Sequence, residues 1–354
     1  MRKVFVVLLA VVAYLLFWPT SVRPVAWKPA AVPPAEGAWV PNQRMNAAIK
    51  DQSNIAGPDT VVQDADGWRY SGLEDGRIVR WRRQQAHETF VKVDGRPVGL
   101  AFGPDGSLFA ADEVKGVVWK VTRDRQVSQV VKSTPERRFT FIDDLVVARD
   151  GRIFFTEAST RWSLPDNKLA MLEHGGDGEV WLRHPNGRLE RVLDGLEFAN
   201  GVVLSPDESY LLVVETGAYR ITRLWLEGPR KGEREVILDN LPGFPGDISN
   251  APDGTYWVSL FTPRKKLLDE LAPHPFLRKV LARLPAALMP KPVAYPFVFR
   301  IDGDGKVLET LQAGSGSNLP SFSSVVQAGN ELLLGTPGGV GEIDSDGAYR
   351  VRLN

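Results

Sequence analysis

Cysteine is absent from the 354 residues, which excludes disulfides, zinc–thiolate sites and thiol nucleophiles. An excess of charge is also missing, because 43 Lys and Arg residues balance 43 Asp and Glu residues. A nucleic-acid-binding protein normally carries a basic surface, so we expect no nucleic-acid partner. The four histidines offer no catalytic triad, and Ser205 lacks the glycine-flanked turn of a serine hydrolase. Of the histidines, we expect His174 to be solvated in a loop of the third blade, and the alternative is that it reaches the propeller mouth.

Apolar runs longer than a strand are also missing, except at the N-terminus, where Arg2 and Lys3 precede a run from Val4 to Trp18. We expect residues 1–22 to form a hydrophobic anchor helix in a membrane, with the rest of the chain outside the cytoplasm, on the periplasmic side if the protein is bacterial. A cleaved signal sequence, which would give a secreted protein, and a buried core helix are the alternatives. The Pro- and Ala-rich stretch 23–50 is predicted to be a linker.

Turns are abundant, with 33 Gly and 26 Pro residues. A turn of Pro-Asp-Gly type followed by an apolar strand recurs six times, with its central residue at positions 66, 105, 150, 207, 253 and 329. Asp and Gly suit tight hairpin turns, and intervals of 39 to 76 residues are typical of four-stranded blades with insertions. We therefore predict an all-β fold, a six-bladed β-propeller over residues 51–354. A β-sandwich with repetitive turns is the alternative.

The longest interval contains a segment with helical periodicity, residues 263–292. Leu267, Leu268 and Leu271 recur at helical spacing, and basic residues such as Lys265 and Lys266 lie between them. This pattern predicts a short amphipathic helical insertion that caps the propeller mouth or lies on a membrane surface. Alternatively, the insertion only packs on its blade.

Four oxygen-bearing side chains occupy similar positions in four blades. Asp59, Asp143 and Asn200 each precede a turn aspartate by seven residues, and Asp247 precedes one by six. Rotation of the blades would bring them together at one end of the axis, where no Lys or Arg shares their phase. Clustered carboxylates repel each other unless a cation neutralises them, and oxygen donors from separate blades suit calcium better than magnesium. Each residue could instead be a local strand-start cap.

Several motifs resemble those of the strictosidine synthase-like family: Gly57-Pro-Asp-Thr, Phe141-Ile-Asp-Asp-Leu, Phe198-Ala-Asn-Gly-Val and Leu241-Pro-Gly-Phe-Pro-Gly-Asp-Ile. Within it, the chain is similar to adipocyte plasma-membrane-associated proteins and their bacterial counterparts, and more distantly to gluconolactonases of the SMP-30 type and paraoxonases. The resemblance runs from about residue 50 to the C-terminus. It implies a six-bladed propeller, often with an N-terminal membrane anchor. In the hydrolytic branches it also implies an axial calcium that polarises an ester or lactone carbonyl.

The resemblance also assigns the axial positions. Asp59 stands where the hydrolases usually have glutamate, Asp143 stands where they have asparagine, and Asn200 matches. Their aspartate of the next blade falls at Gly246, so the neighbouring Asp247 is a departure. The catalytic glutamate of strictosidine synthases corresponds to about Ser323, which makes that condensation unexpected.

Two functions follow as hypotheses. The first is a calcium-dependent hydrolase of small-molecule esters or lactones, similar to an arylesterase or lactonase. Asp59, Asp143, Asn200 and Asp247 would bind the metal, and Asp247 would be ligand, general base or both. Asp144 is expected to point away, because side chains alternate along a strand. The second is a non-catalytic, membrane-anchored propeller with a structural metal that binds a small ligand or a protein.

Overall fold

The six predicted turns each connect the first and second strand of a blade in the computed structural model, which describes residues 2–314, 316–338 and 346–353. The helices are α1 Arg2–Phe17, α2 Asn167–Glu173, α3 Lys266–Leu271 and α4 Pro275–Ala282. In chain order the strands are β1 Ile49–Ala56, β2 Val61–Gln63, β3 Arg69–Gly72, β4 Arg77–Trp81, β5 Glu88–Lys92, β6 Pro97–Phe102, β7 Leu108–Asp112, β8 Val117–Val121, β9 Val127–Val131, β10 Ile142–Val147, β11 Ile153–Glu157, β12 Gly178–Arg183, β13 Leu189–Leu196, β14 Ala199–Leu204, β15 Tyr210–Glu215, β16 Arg220–Trp225, β17 Arg234–Leu238, β18 Gly243–Asn250, β19 Tyr256–Pro263, β20 Phe297–Ile301, β21 Val307–Gln312, β22 Ser324–Ala328, β23 Glu331–Gly335 and β24 Asp346–Arg352.

The strands form six four-stranded antiparallel sheets. Blades 1 to 5 each use four consecutive strands, beginning at β2, β6, β10, β14 and β18. Blade 6 contains β22, β23 and β24, and β1 from the N-terminal side completes it as the outer strand. The predicted six-bladed propeller is therefore confirmed.

The innermost strands β2, β6, β10, β14, β18 and β22 contact one another around the axis. Apolar side chains fill the space between adjacent blades, as where Val203 and Leu212 of blade 4 join Ile248 and Val258 of blade 5 in one buried cluster. Because each blade is covered on both faces, these strands alternate little between buried and exposed residues. The cores thus lie between the blades, and the axial ends of the inner strands remain available for polar groups.

Helix α1 forms within the N-terminal apolar run, and all its residues remain at least partly exposed. Its 16 residues give a length of about 24 Å, less than the thickness of a bilayer core of about 30 Å. Within the described part of the chain, none of the helices has both the length and the apolar character needed to cross a membrane. The spanning anchor predicted for residues 1–22 is therefore not supported.

Residues 18–31, which we name the strap, pack against the propeller. Val22 is buried in a cluster with Phe141 and Trp162, and the Val25 amide donates to the Glu173 carbonyl at 2.9 Å. Farther along, Arg264 donates to the carbonyl of Ala30 at 2.7 Å. The stretch predicted as a linker over 23–50 is therefore partly docked on the propeller, because it supplies both apolar contacts and backbone hydrogen bonds.

The helical insertion between β19 and β20 contains α3, α4 and a 3-10 turn at Ala286–Leu288. Helix α4 packs against α2, which lies between β11 and β12 and was not predicted from the sequence. Both insertions lie beside the strap. Together they build up one end of the propeller, at which the site residues are found.

Candidate active site

A cavity of about 220 Å³ lies at the axial end of the propeller, under α2, the helical insertion and the strap. All four predicted site residues line it: Asp59, Asp143, Asn200 and Asp247. Asp59 lies two positions before β2, the innermost strand of blade 1, and the other three residues lie within β10, β14 and β18. The blade repeat thus brings them to one place, as the sequence spacing predicts.

Irregular strand pairing shapes this end of the blades. The register between the first and second strands shifts between Ile142 and Leu145 in blade 3. Equivalent shifts occur in blades 2, 4 and 5. A bulge interrupts the alternation of side chains, so consecutive residues can face the same side. This explains why Asp144 lines the cavity together with Asp143, whereas strict alternation predicts that it points away.

Glycines at the bulges allow carboxylates to fit between blades. A Cβ atom at Gly99 would lie 2.5 Å from Asp144 Oδ1, and one at Gly201 would lie 2.8 Å from Asp247 Oδ1. The Val202 amide of blade 4 donates to Asp144 Oδ2 at 2.8 Å, which links blades 3 and 4. Only glycine at these two positions lets the neighbouring backbone come so close to the carboxyl groups. This close backbone therefore fixes the side chains of Asp144 and Asp247.

Asp144 and Asp247 are hydrogen-bonded to each other, and burial raises the pKa of both. The pKa of Asp144 is about 7, and that of Asp247 is raised well above its ordinary value by burial and by the charge of Asp144. Two buried carboxylates in contact cannot both ionise without strong repulsion. The pair therefore shares a proton near neutral pH.

Arg96 and Glu113 also line the cavity, and neither was predicted from the sequence. Arg96 Nε lies 2.8 Å from Glu113 Oε1. Burial nevertheless raises the pKa of Glu113 to about 8, because desolvation and the nearby acids Asp59 and Asp112 outweigh the guanidinium charge. Arg96 does not share the phase of the four predicted residues, because it lies nine rather than seven positions before Asp105, but it reaches the site from the position before β6. The position of Arg96 at the start of an innermost strand was the sequence feature that could have indicated it as a site residue.

The acids at the axial end of the cavity, which we name the acidic floor, outnumber the one basic residue beside them, Arg96; they are Asp59, Glu113, Asp143, Asp144 and Asp247. Burial raises the pKa of Asp59, and Arg96 opposes that rise. The pKa of Asp143 is raised well above its ordinary value by burial and then by the charges of Glu113 and Asp59. Asp59 and Asp143 are half-buried, because part of each residue's surface remains accessible from the cavity.

The cavity walls are mostly apolar and come from the strap, from α2 and from the inner ends of blades 4 and 5. They include Trp27, Met171, Phe198, Tyr219 and Phe244. Trp27 stacks on His174 with ring centroids 3.9 Å apart. His174 ends α2 in a left-handed conformation and is buried, and burial lowers its pKa to about 3. The expectation of a solvated His174 is wrong, because the strap covers it.

The donor set fits a hard cation in its chemistry. Three carboxylates and the Asn200 amide supply oxygen atoms, and the pKa values of the three acids are raised first by burial and, for Asp143 and Asp247, also by the charges of neighbouring acids. Across residues 2–314, 316–338 and 346–353, no group of three or more His, Cys, Asp or Glu side chains is arranged to hold a metal ion. The residues thus suit calcium in donor type and charge, without a closed ligand shell.

Comparisons with known proteins agree with this architecture. Residues 47–267 match the family described as "SMP-30/Gluconolactonase/LRE-like region". The chain is 32% identical to the cattle adipocyte plasma membrane-associated protein over 347 residues, 91% of this chain and 83% of that protein. It is 31% identical to protein strictosidine synthase-like 13 of Arabidopsis thaliana, covering 89% of this chain and 88% of the plant protein.

Solved structures share the fold. A gluconolactonase from Xanthomonas campestris superposes with a TM-score of 0.63 at 18% identity, covering 96% of this chain and 99% of that chain. Regucalcin from Agrobacterium tumefaciens, described as a calcium-binding protein, gives a TM-score of 0.57 at 13% identity, with coverages of 85% and 91%. The predicted bacterial origin stays a prediction. By its matched residues the chain belongs to the SMP-30/gluconolactonase/LRE-like family, and it is similar to adipocyte plasma membrane-associated and strictosidine synthase-like proteins.

Proposed function

We propose that the protein is a calcium-dependent hydrolase of esters or lactones. The observation that carries this proposal is the combination of an acidic, oxygen-rich floor and apolar walls in one axial cavity. Such a cavity suits a small, mostly apolar substrate whose carbonyl reaches the floor. The gluconolactonase and calcium-binding neighbours support the proposal through their shared fold.

Asp59, Asp143, Asn200 and Asp247 would hold the cation. When bound, calcium would polarise a carbonyl oxygen and lower the pKa of a water molecule. The chain itself would bind the substrate's apolar part against Phe198 and Tyr219 and exclude bulk water. Asp247 and the neighbouring Asp144, whose pKa values burial raises in the metal-free chain, would serve as the general base that takes a proton from water.

The test measures hydrolysis of phenyl acetate and of a δ-lactone by the purified protein, with calcium and with a chelator. We expect turnover only with calcium. Asp247→Asn separates the two roles of that residue. If Asp247 is mainly a ligand, calcium affinity falls while turnover at saturating calcium is retained. If it is mainly the base, calcium affinity is kept and the rate falls by about 10²- to 10⁴-fold. Chelator-resistant turnover would contradict the proposal.

A non-catalytic binding protein is the second candidate. It is favoured by the register of Asp247, whose carboxylate Oδ1 accepts a hydrogen bond from the Ile248 amide at 2.7 Å and is engaged with Asp144. Both contacts would have to adjust for calcium ligation. Calcium binding without hydrolysis across ester and lactone panels would support this function.

We also propose that the protein associates with a membrane surface, outside the cytoplasm. Helix α1 exposes Val4 and Phe5, and the insertion exposes Phe276 and Leu288 near basic residues. The named association of the mammalian relatives with the plasma membrane supports this. Flotation with vesicles containing phosphatidylserine should recover the full chain, and removal of residues 2–17 should reduce recovery. Unchanged recovery would contradict a role for α1.

A further inference from the structure

Arg278 is a buried cation in the wall of the axial cavity. It lies in α4, is only 3% exposed and lines the cavity together with apolar residues of α2 and the strap. Arginine is seldom buried without an acidic partner, because removing its charge from water costs several kcal/mol unless a counter-charge compensates. The environment of this guanidinium therefore indicates what the cavity accommodates.

The hydrogen bonds of Arg278 go to neutral acceptors. Its Nη1 donates to the Leu172 carbonyl at 2.9 Å and its Nη2 to the Val25 carbonyl. Its Nε is buried without a hydrogen-bond acceptor. Among the described residues, no Asp or Glu side chain forms an ion pair with it. These contacts tie α2 and the strap together, but they leave the positive charge uncompensated.

The acid whose charge reaches Arg278 is Glu197, which lies 3.5 Å from His174. Burial raises the pKa of Glu197 to about 7, so this carboxyl group is only partly ionised near neutral pH. Burial also lowers the pKa of Arg278, as expected for a cation that lacks a full counter-charge. The described part of the chain thus supplies at most a partial counter-charge, from Glu197.

Charge is separated along the cavity. The acidic residues that line it belong to the floor around Asp59 and Asp143, whereas Lys168, Lys265 and Arg278 line it from the insertions. Apolar walls lie between these groups. A ligand that matches this arrangement has a reactive or polar end for the floor, an apolar middle and an anionic group for the insertion side.

We infer that Arg278 is the centre of an anion subsite, which binds the carboxylate or phosphate of an amphiphilic ligand whose apolar chain fills the cavity. As a statement about substrate, this inference rests on the proposed hydrolase function and narrows it to esters or lactones that carry a second, anionic group. As a statement about binding, it is independent of catalysis.

Isothermal titration calorimetry of the full chain in chelator, with octanoate, octyl phosphate and octanol, tests the inference. Without metal, only the protein's own cations can favour an anionic head group. We expect at least one of the two anions to bind about tenfold or more tightly than octanol, since a hydrogen-bonded charge contributes about that much. The tighter anion identifies the head group. Equal or weaker binding of both anions would overturn the inference, with no variant required.

Two substitutions separate recognition from structure. Arg278→Gln should remove the preference for the anion and leave octanol affinity within about twofold, whereas Arg278→Lys should retain part of the preference. The matched control is Arg283→Gln, because Arg283 also donates to strap and α1 carbonyls, those of Trp18 and Leu15, but does not line the cavity. An equal loss of octanoate and octanol binding in Arg278→Gln would show that Arg278 is only a structural clamp. If the protein hydrolyses esters or lactones but shows no preference for anionic ligands, only this inference is overturned. If it binds the anions but hydrolyses neither substrate, only the proposed function is overturned.

Discussion

Asp143 and Asn200 test the calcium site without reference to catalysis. A ligand that binds only the folded chain raises its stability by about 2.7 kcal/mol at 100 times its dissociation constant. We therefore expect calcium to raise the melting temperature, and Asp143→Ala and Asn200→Ala each to remove most of that rise. Asn167→Ala is the matched control, because Asn167 lines the same cavity from α2 and away from the floor. Equal melting temperatures with calcium and with chelator would rule out the site.

Glu113 makes stability depend on pH in the absence of metal. Its pKa is about 8 in the folded chain against an ordinary 4.5, and that of Asp144 is about 7 against 3.8. Both carboxyl groups bind a proton more tightly in the folded chain than in the unfolded chain. Protonation therefore stabilises the fold fully below their ordinary pKa values, and this contribution is lost as the pH rises through their folded pKa values of about 7 and 8. Asp59 and Asp143, with raised pKa values, act in the same direction, and Arg96 opposes them.

In chelator, the melting temperature should fall from about pH 6.5 to pH 8, by roughly 2–4 °C per pH unit for each proton lost. His174 opposes this fall slightly near pH 6.5, because burial lowers its folded pKa to about 3 whereas about half of unfolded histidine is protonated at that pH, and this opposing effect fades by about pH 7.5. Glu113→Gln should flatten the dependence, and saturating calcium should reverse it. A melting temperature that rises across this window would contradict the assignment.

The site residues that could be predicted from the sequence are those in phase with the turns. Asp59, Asp143 and Asn200 share the spacing and line the same cavity. Asp144 could not be predicted, because a bulge is a property of strand pairing and leaves no periodic signal. Glu113 was missed for a different reason, since it follows the second strand of its blade rather than the innermost one.

At the scale of elements, the strap is the segment whose position the sequence least reveals. Its composition is that of a linker, yet Trp27 forms part of the cavity wall and stacks on His174. Tertiary contacts fix it, and among them the contacts of Val25 with Glu173 of α2 and Arg278 of α4 join residues more than 140 positions apart. Helix α2 is likewise short and depends on packing rather than on intrinsic propensity.

Truncation of the N-terminus should therefore have two distinct effects. Removal of residues 2–17 takes away α1, which buries no residue, and should leave thermal stability nearly unchanged. Removal of residues 2–31 also deletes the strap and should lower the melting temperature and weaken octanoate binding, because Val22 and Trp27 lose their contacts. Within the intact chain, Trp27→Ala should cost about 1–2 kcal/mol of unfolding free energy. Identical behaviour of the two truncations would show that the strap contributes nothing.

At the scale of the whole molecule, the six blades could be predicted from the turns, because each Asp-Gly-type turn repeats once per sheet. The way in which β1 and β24 close the ring of blades could not be predicted from the sequence. Strand β1 precedes the first turn and pairs with β24, almost 300 residues later, so no local pattern indicates it. The closing blade depends on long-range contacts between the two ends of the propeller.

A buried ion network lies at this closure. Arg69 of blade 1 donates to Asp51 of β1 at 2.6 Å and to Glu331 of β23 at 2.9 Å. Arg350 of β24 contacts the same two acids at 3.0 and 2.7 Å, and the Trp81 indole donates to Asp51 at 2.7 Å. Two acids and two arginines from both ends of the chain thus compensate one another in a region with little access to water.

Arg69→Met should therefore weaken the closure strongly, because it leaves Asp51 and Glu331 buried with half of their counter-charge. Breaking a buried ion pair by removing one partner costs about 3–5 kcal/mol, and denaturant unfolding should report a loss of that size. Arg83 provides the matched control, since it is exposed and reaches the same Glu331 at 3.4 Å. Arg83→Gln should cost less than about 1 kcal/mol, as surface ion pairs do. A loss as small for Arg69→Met as for Arg83→Gln would mean that strand pairing between β1 and β24 closes the propeller without help from the ion network, and high salt should then leave both variants equally stable.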